Sequence, residues 1–173
     1  MKKILILFLT ASAFLFVKTN GQTSRQKAEA MAAEFSKQKN KEKEKNGIVT
    51  EKHKQIEAKP DFRENPASYA GKYEIDAGEH YIVLRYLPAN TWEGDYVTIQ
   101  NDREQKATLK DIKIDAAIIT ATIQYEDGKH VPFEGVFINR FENGEKTSGL
   151  GARQVLDLSN GMIADKLFYR RVE

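Results

Sequence analysis

The sequence predicts an all-β fold, an eight-stranded antiparallel up-and-down barrel, preceded by a charged, partly helical N-terminal segment. Three observations carry this. From Ala67 to Glu173 apolar and polar residues alternate in runs separated by turn signals roughly every 8–15 residues, the spacing of a sandwich or barrel. Glu126-Asp127-Gly128-Lys129 and Glu142-Asn143-Gly144-Glu145 set Asp-Gly and Asn-Gly between such runs, which favours tight hairpins. Gly94 and Gly135 stand inside runs, where glycine weakens pairing unless the sheet bends sharply. A small coiled barrel needs such bends, and closing it removes the exposed edges of an open sheet.

The elements follow in chain order. Lys2 and Lys3 precede a 14-residue apolar stretch, Ile4 to Val17, broken only by Thr10 and Ser12. This order is that of a secretory signal peptide, and the stretch falls short of the ~20 apolar residues of a membrane-spanning helix. Thr19 and Gly21 suit cleavage before Gln22, so residues 1–21 are expected to be removed and the mature chain to be secreted or periplasmic, with no transmembrane segment. The chain has no cysteine, which excludes a lipidated N-terminus, a disulfide framework and a thiolate metal site. Loss of residues 1–21 removes three lysines and no acid, so a formal charge of +2 becomes slightly negative. The basic character belongs to the leader and argues for no nucleic-acid partner.

Residues 22–66 read as a charged helical or flexible linker, with 11 basic and 8 acidic residues and few large apolar ones. Thr23-x-x-Gln26 has capping-box spacing, and Ala28, Met31, Ala32 and Phe35 fall at i, i+3, i+4 and i+7, predicting a short helix from about Ser24. The lysine-rich stretch Lys37 to Lys45 offers no apolar face. On this reading a protease should strip residues 22 to 60 and leave a folded domain. The barrel domain spans 67–173, with strands expected at 71–75, 80–87, 91–100, 107–114, 116–125, 131–141, 150–158 and 166–172. In the fifth, Ala117, Ile119, Ala121, Ile123 and Tyr125 share one face opposite Thr120, Thr122 and Gln124. Val131, Phe133, Gly135, Phe137 and Phe141 continue that face in the sixth, with Asn139 as the exception.

Gly71-Lys72-Tyr73, preceded by Pro66-Ala67-Ser68-Tyr69, and Arg170-Arg171 near the end of the last strand resemble a motif of the calycin-type barrels, the lipocalins, fatty-acid-binding proteins and avidins. There a Gly-x-Trp opens the first strand and an arginine from the last strand packs across it. Tyrosine stands here in place of the tryptophan. The resemblance implies that Gly71, Tyr73 and Arg170 or Arg171 close one end of the barrel. Glu93-Gly94-Asp95-Tyr96 echoes the avidins too, but a single tryptophan, Trp92, makes a biotin site a poor expectation.

No catalytic signature is present: no Gly-x-Ser-x-Gly, His-Glu-x-x-His, phosphate-binding glycine loop or EF-hand loop. His53, His80 and His130 have no ligand-like spacing, so no metal and no cofactor are expected. Glu93 and Asp95 lie two apart on one strand face, as a catalytic pair would and as solvent-side acids commonly do. Residues 80–87 are apolar on both faces, with Tyr81, Val83 and Leu87 on one and Ile82, Leu84 and Tyr86 on the other. Arg85 falls on the Tyr81 side, and an arginine facing a lumen needs a counter-charge. The expectation is a cavity lined by Arg85, Trp92, Tyr96 and Phe137 for a small amphipathic anion, against a filled core with Arg85 at the rim. The function expected is an exported non-enzymatic binding module; the alternatives are a structural barrel binding a protein partner, and then a hydrolase.

Overall fold

The computed structural model describes residues 22–45, 56–75, 80–100, 103–153 and 166–172. The expected signal segment, 1–21, lies outside them. No helix among the described residues is long and apolar enough to cross a membrane.

Eight antiparallel strands close into a barrel: β2 (Gly71–Glu74), β3 (His80–Leu87), β4 (Thr91–Gln100), β5 (Arg103–Asp115), β6 (Ile118–Gln124), β7 (His130–Glu142), β8 (Glu145–Arg153) and β9 (Lys166–Arg171). Each pairs with its sequence neighbour, and β9 returns to β2, with Tyr73 opposite Arg171. Asn143 and Gly144, at φ 54° and 84°, make the two-residue β7–β8 turn, the left-handed pair that matches strand twist. β8 therefore begins at Glu145, five residues before the expected start. It is recruited by the turn, because Glu145 to Gly149 has no apolar alternation of its own.

The interior is built as period two dictates. Ile82, Tyr96 and Ala107 align across β3, β4 and β5, and Leu84, Gly94, Leu109 and Ile123 form the next row. All but Gly94 are buried core side chains. Asn139, the polar exception on β7, donates to Asp61 Oδ1 (3.1 Å) and accepts from the Ser148 hydroxyl (2.6 Å), so its position is satisfied.

Within 22–66, residues 22–36 and 56–66 lie against the barrel rather than apart from it, and 46–55 lie outside the described residues. Helix α1 (Ser24–Lys45) starts on the expected capping box: the Thr23 N–H donates to Gln26 Oε1 (3.0 Å) and the Gln26 N–H to Thr23 Oγ1 (3.4 Å). Ala28, Met31, Ala32 and Phe35 are buried, and what they cover is the outer face of the barrel. Lys27 pairs with Glu134 of β7, Ser24 with Asp115 of β5, and Glu34 with Lys166 of β9. Beneath the helix Ile118, Val136 and Ile138 are almost fully buried although they point away from the lumen. The chain then adds β1 (Glu57–Pro60), a strand with no counterpart in the sequence reading. It pairs with residues 138–141 of β7, in line with β6, which pairs with residues 130–136 of the same edge. The Ala58 N–H donates to Ser36 Oγ (2.8 Å), joining helix and strand.

One end of the barrel is closed by a 3₁₀ turn, Pro66–Tyr69, capped by Asn65. Gly71 leaves it at φ 146°, a backbone region that glycine alone occupies freely. Arg171 donates to the Ser68 carbonyl (3.0 Å) and the Ala70 carbonyl (2.8 Å), and the Tyr73 hydroxyl donates to the Tyr69 carbonyl (2.6 Å). The Tyr69 hydroxyl lies between the carbonyls of Asp61 (2.8 Å) and Ala116 (2.9 Å) and accepts the Arg63 N–H (3.0 Å). Arg170 takes no part. It faces outward and reaches Glu74 at 3.8 Å, because period two puts neighbours on a strand on opposite faces.

This plug ties stability to alkaline pH. Burial pushes the Tyr73 phenol up to about 12, against the opposing charges of Arg171 and Arg63, and raises Tyr69 and Tyr169 in the same direction. A phenol that ionises more readily in the unfolded chain gives stability that is whole below the unfolded pKa of about 10 and lost as pH climbs to the folded value. For Tyr73 the loss is about 3 kcal/mol. The melting temperature is expected to fall steeply between pH of about 10 and about 12, and Tyr73→Phe to flatten the fall. A profile that Tyr73→Phe leaves unchanged would contradict this assignment.

Candidate functional site

The β3–β4 hairpin turns over Pro88–Asn90 and pairs Arg85 with Glu93, Tyr86 with Trp92 and Val83 with Asp95. Arg85, Glu93 and Asp95 consequently share the outer face, while Trp92 and Gly94 sit on the inner one. On the other side of β4, Thr108 stands opposite Asp95 and Leu109 opposite Gly94. The β5–β6 register then slips between Lys110 and Lys113, with Asp111 at φ 53°, a bulge that bends the strand. A recess of about 290 Å³ opens at this bend. It is lined by Arg85, Trp92, Glu93, Gly94 and Asp95 of the hairpin and by Thr108, Leu109, Lys110 and Asp111 of β5. A Cβ on Gly94 would come within 3.0–3.1 Å of the Leu109 and Ile112 side chains, so the strands pack closely here because the residue is glycine.

Asp95 organises the rim. Its Oδ2 accepts from Arg85 Nη1 at 2.8 Å and lies 3.4 Å from Lys106 Nζ, and Glu93 lies 3.9 Å from Arg85 Nε. Burial pushes the Asp95 carboxyl up, but the Arg85 hydrogen bond and charge, joined by Lys106, outweigh it and hold the group below the usual carboxylate range. The same hydrogen bond raises the Arg85 guanidinium further. Trp92 is fixed edge-on against Tyr86, ring centroids 4.9 Å apart, and the Tyr86 hydroxyl donates to Asn90 Oδ1. Asp95, 15% exposed, is thus the fixed centre about which the more exposed Arg85, Glu93 and Lys106 gather.

Of the four residues expected to line a cavity together, Arg85 and Trp92 meet in this recess, and Tyr96 and Phe137 do not. Tyr96 is buried in the core, and Phe137 stacks on Tyr69 at 4.3 Å and tilts against Tyr73 at 5.6 Å. Arg85 does not face the lumen. A strand apolar on both sides carries no period-two signal to choose its inner face, and Ile82 and Leu84 are the buried side. The counter-charge is Asp95 of the same hairpin, not a group in the interior. Glu93 and Asp95 both lie against Arg85, Asp95 as its hydrogen-bond acceptor and Glu93 at 3.9 Å.

His53 lies outside the described residues and His130 is exposed. Among the described residues no cluster of three or more His, Cys, Asp or Glu could hold a metal ion. Two buried polar atoms inside the barrel have no mark in the sequence: the Tyr169 hydroxyl, which lies beside Tyr96, and His80 Nδ1, which has no hydrogen-bond partner among the described residues. Tyr169 falls on a strand whose inner face only pairing reveals. Comparison with protein-family models, with curated proteins and with solved structures finds no match.

Proposed function

We propose that the chain is an exported, non-enzymatic binding module that holds a small amphipathic ligand in the wall recess at Arg85 and Trp92. The observation that carries this reading is the recess itself, where one aromatic side chain, Trp92, meets a set of polar groups ordered around the Arg85–Asp95 pair. It moves the expected ligand from the lumen to the wall. The interior near the closed end is taken by Tyr69, Tyr73 and Phe137, each almost fully buried. Export rests on residues 2–21, and the absence of an enzymatic role on the rim carboxylates being committed to Arg85.

Trp92 is the only tryptophan, so its emission reports the recess directly. Protein purified from its host and examined by native mass spectrometry is expected to retain or accept a small molecule that shifts this emission saturably. Trp92→Ala, read by native mass spectrometry, should weaken that binding by about tenfold, the loss of roughly one good aromatic contact. A ligand that binds without disturbing Trp92 would place the site elsewhere. N-terminal sequencing of the same material, expected to begin at Gln22, tests export.

A further inference from the structure

The recess reading leaves the chemistry of the ligand open, and the arrangement of charge closes it. Resting on that reading, we infer that the recess takes a neutral polyhydroxylated ring, a single pyranose unit. The acids at the site are Glu93, Asp95 and Asp111; the bases are Arg85, Lys106 and Lys110. The two sets balance, and the central members are already paired, Arg85 with Asp95 at 2.8 Å, Lys106 with Asp95 at 3.4 Å and Arg85 with Glu93 at 3.9 Å. An anion at Arg85 would sit beside the Asp95 carboxylate, only 15% exposed and 2.8 Å from the same guanidinium, and would escape that repulsion only by exchanging places with it. A cation would face the same exchange in reverse.

A hydroxyl needs no such exchange. It donates to a carboxylate lone pair and accepts from a guanidinium N–H at once, and neither charge pair has to open. Arg85 commits one of its N–H groups to Asp95 and has further donors in a planar fork. Glu93 is 60% exposed with its oxygens at the rim. Adjacent ring hydroxyls match the spacing of such forks, as bidentate recognition requires. The C–H face of a pyranose is apolar and flat, and Trp92 is the aromatic side chain at the recess. Size points the same way: about 290 Å³ lies just below the ~300–1,000 Å³ range of ligand clefts. That is room for one ring, and a lining of mostly polar and charged residues gives no run for an alkyl chain.

The test is a titration of the full chain with methyl glycosides of glucose, galactose and N-acetylglucosamine, followed by the Trp92 indole N–H resonance. Glucuronate and glucosamine serve as charged counterparts, each at low and high salt. A neutral glycoside is expected to shift the indole signal saturably, with affinity changing by less than about twofold across salt. Glu93→Gln and Asp95→Asn should each weaken it by about tenfold or more, the loss of a hydrogen bond to a charged group. Glu93 is a surface residue, so its variant carries the test if Asp95→Asn misfolds. A trisaccharide binding more tightly than its monosaccharide assigns the ring to a glycan chain, and equal affinity assigns it to a free sugar. If only a charged ligand binds, with affinity that collapses in salt, the neutral-ring inference fails and the recess stands. If no small molecule moves the Trp92 signal, both fail.

Discussion

A chain beginning at Asp61 is expected to lose its cooperative unfolding transition, although everything that forms the eight-stranded barrel remains in it. The reason is what α1 and β1 cover. Truncation strips Met31 and Phe35, with Ala28, Ala32, Ile56 and Ala58, from the outer face of β7 and its neighbours, and returns Ile118, Val136 and Ile138 to water. Loss of a buried Phe or Met side chain alone costs about 2–5 kcal/mol, and two of them approach the whole ~5–15 kcal/mol by which a domain is stable. The unpaired end of β7, residues 138–141, also becomes an open strand edge. Denaturant unfolding followed by far-UV circular dichroism checks this. A sharp transition in the truncated chain, within about 1 kcal/mol of the full chain, would mean the helix is an ornament on a self-sufficient barrel.

The second large effect is expected at Gly149. The outer face of β8 carries two glycines, Gly149 and Gly151, and a phenylalanine ring lies against each: Phe168 over Gly149 and Phe35 over Gly151. A Cβ on Gly151 would meet the Phe35 ring at 2.7 Å, and that ring sits on a helix that can shift. A Cβ on Gly149 would meet the Phe168 ring at 2.6 Å and, closer still, the Tyr169 carbonyl oxygen. That oxygen belongs to the backbone of β9, so relief requires parting β8 from β9 beside the barrel seam. Gly149→Ala should therefore destabilise by about 3 kcal/mol or more, at the upper end for overpacking. Phe168→Ala in the same chain should not restore stability, since the carbonyl remains. Gly128→Ala is the contrast: its Cβ meets nothing within 4 Å, but φ is +84°, so it should cost only the left-handed strain of roughly 1–2 kcal/mol. Equal midpoints for the Gly149 and Gly128 variants would refute the steric account.

Much of the fold was legible because its signals are local. The capping box at Thr23, the helix stripe to Phe35, the Asp-Gly and Asn-Gly turns and the inner faces of β6 and β7 each depend on a few adjacent residues. What stayed illegible depends on partners far away. β1 is four residues of no distinctive pattern, made a strand only by β7. Residues 145–149 read as loop because the turn before them, not their own alternation, pairs them. Arg85 has no legible side of its own, because β3 is apolar on both faces. A signal that could have turned it outward was present: across a hairpin closed at Pro88–Asn90, Arg85, Glu93 and Asp95 share one face and neutralise each other. The bulge at Asp111, which opens the recess, has no sequence mark beyond a charged residue in an otherwise alternating run.

The arrangement along β7 also has a consequence in time. Its one edge is served by β6, which is next to it in the chain, and by β1, which was made roughly 80 residues earlier; the barrel seam joins β2 to β9 across roughly 100 residues, and such distant pairings make folding slow. Helix α1, synthesised first among the described elements, has its seat on strands synthesised near the end. During that interval the stripe of Ala28, Met31 and Phe35 has no seat, and the growing chain carries bare an apolar surface that the finished protein no longer exposes.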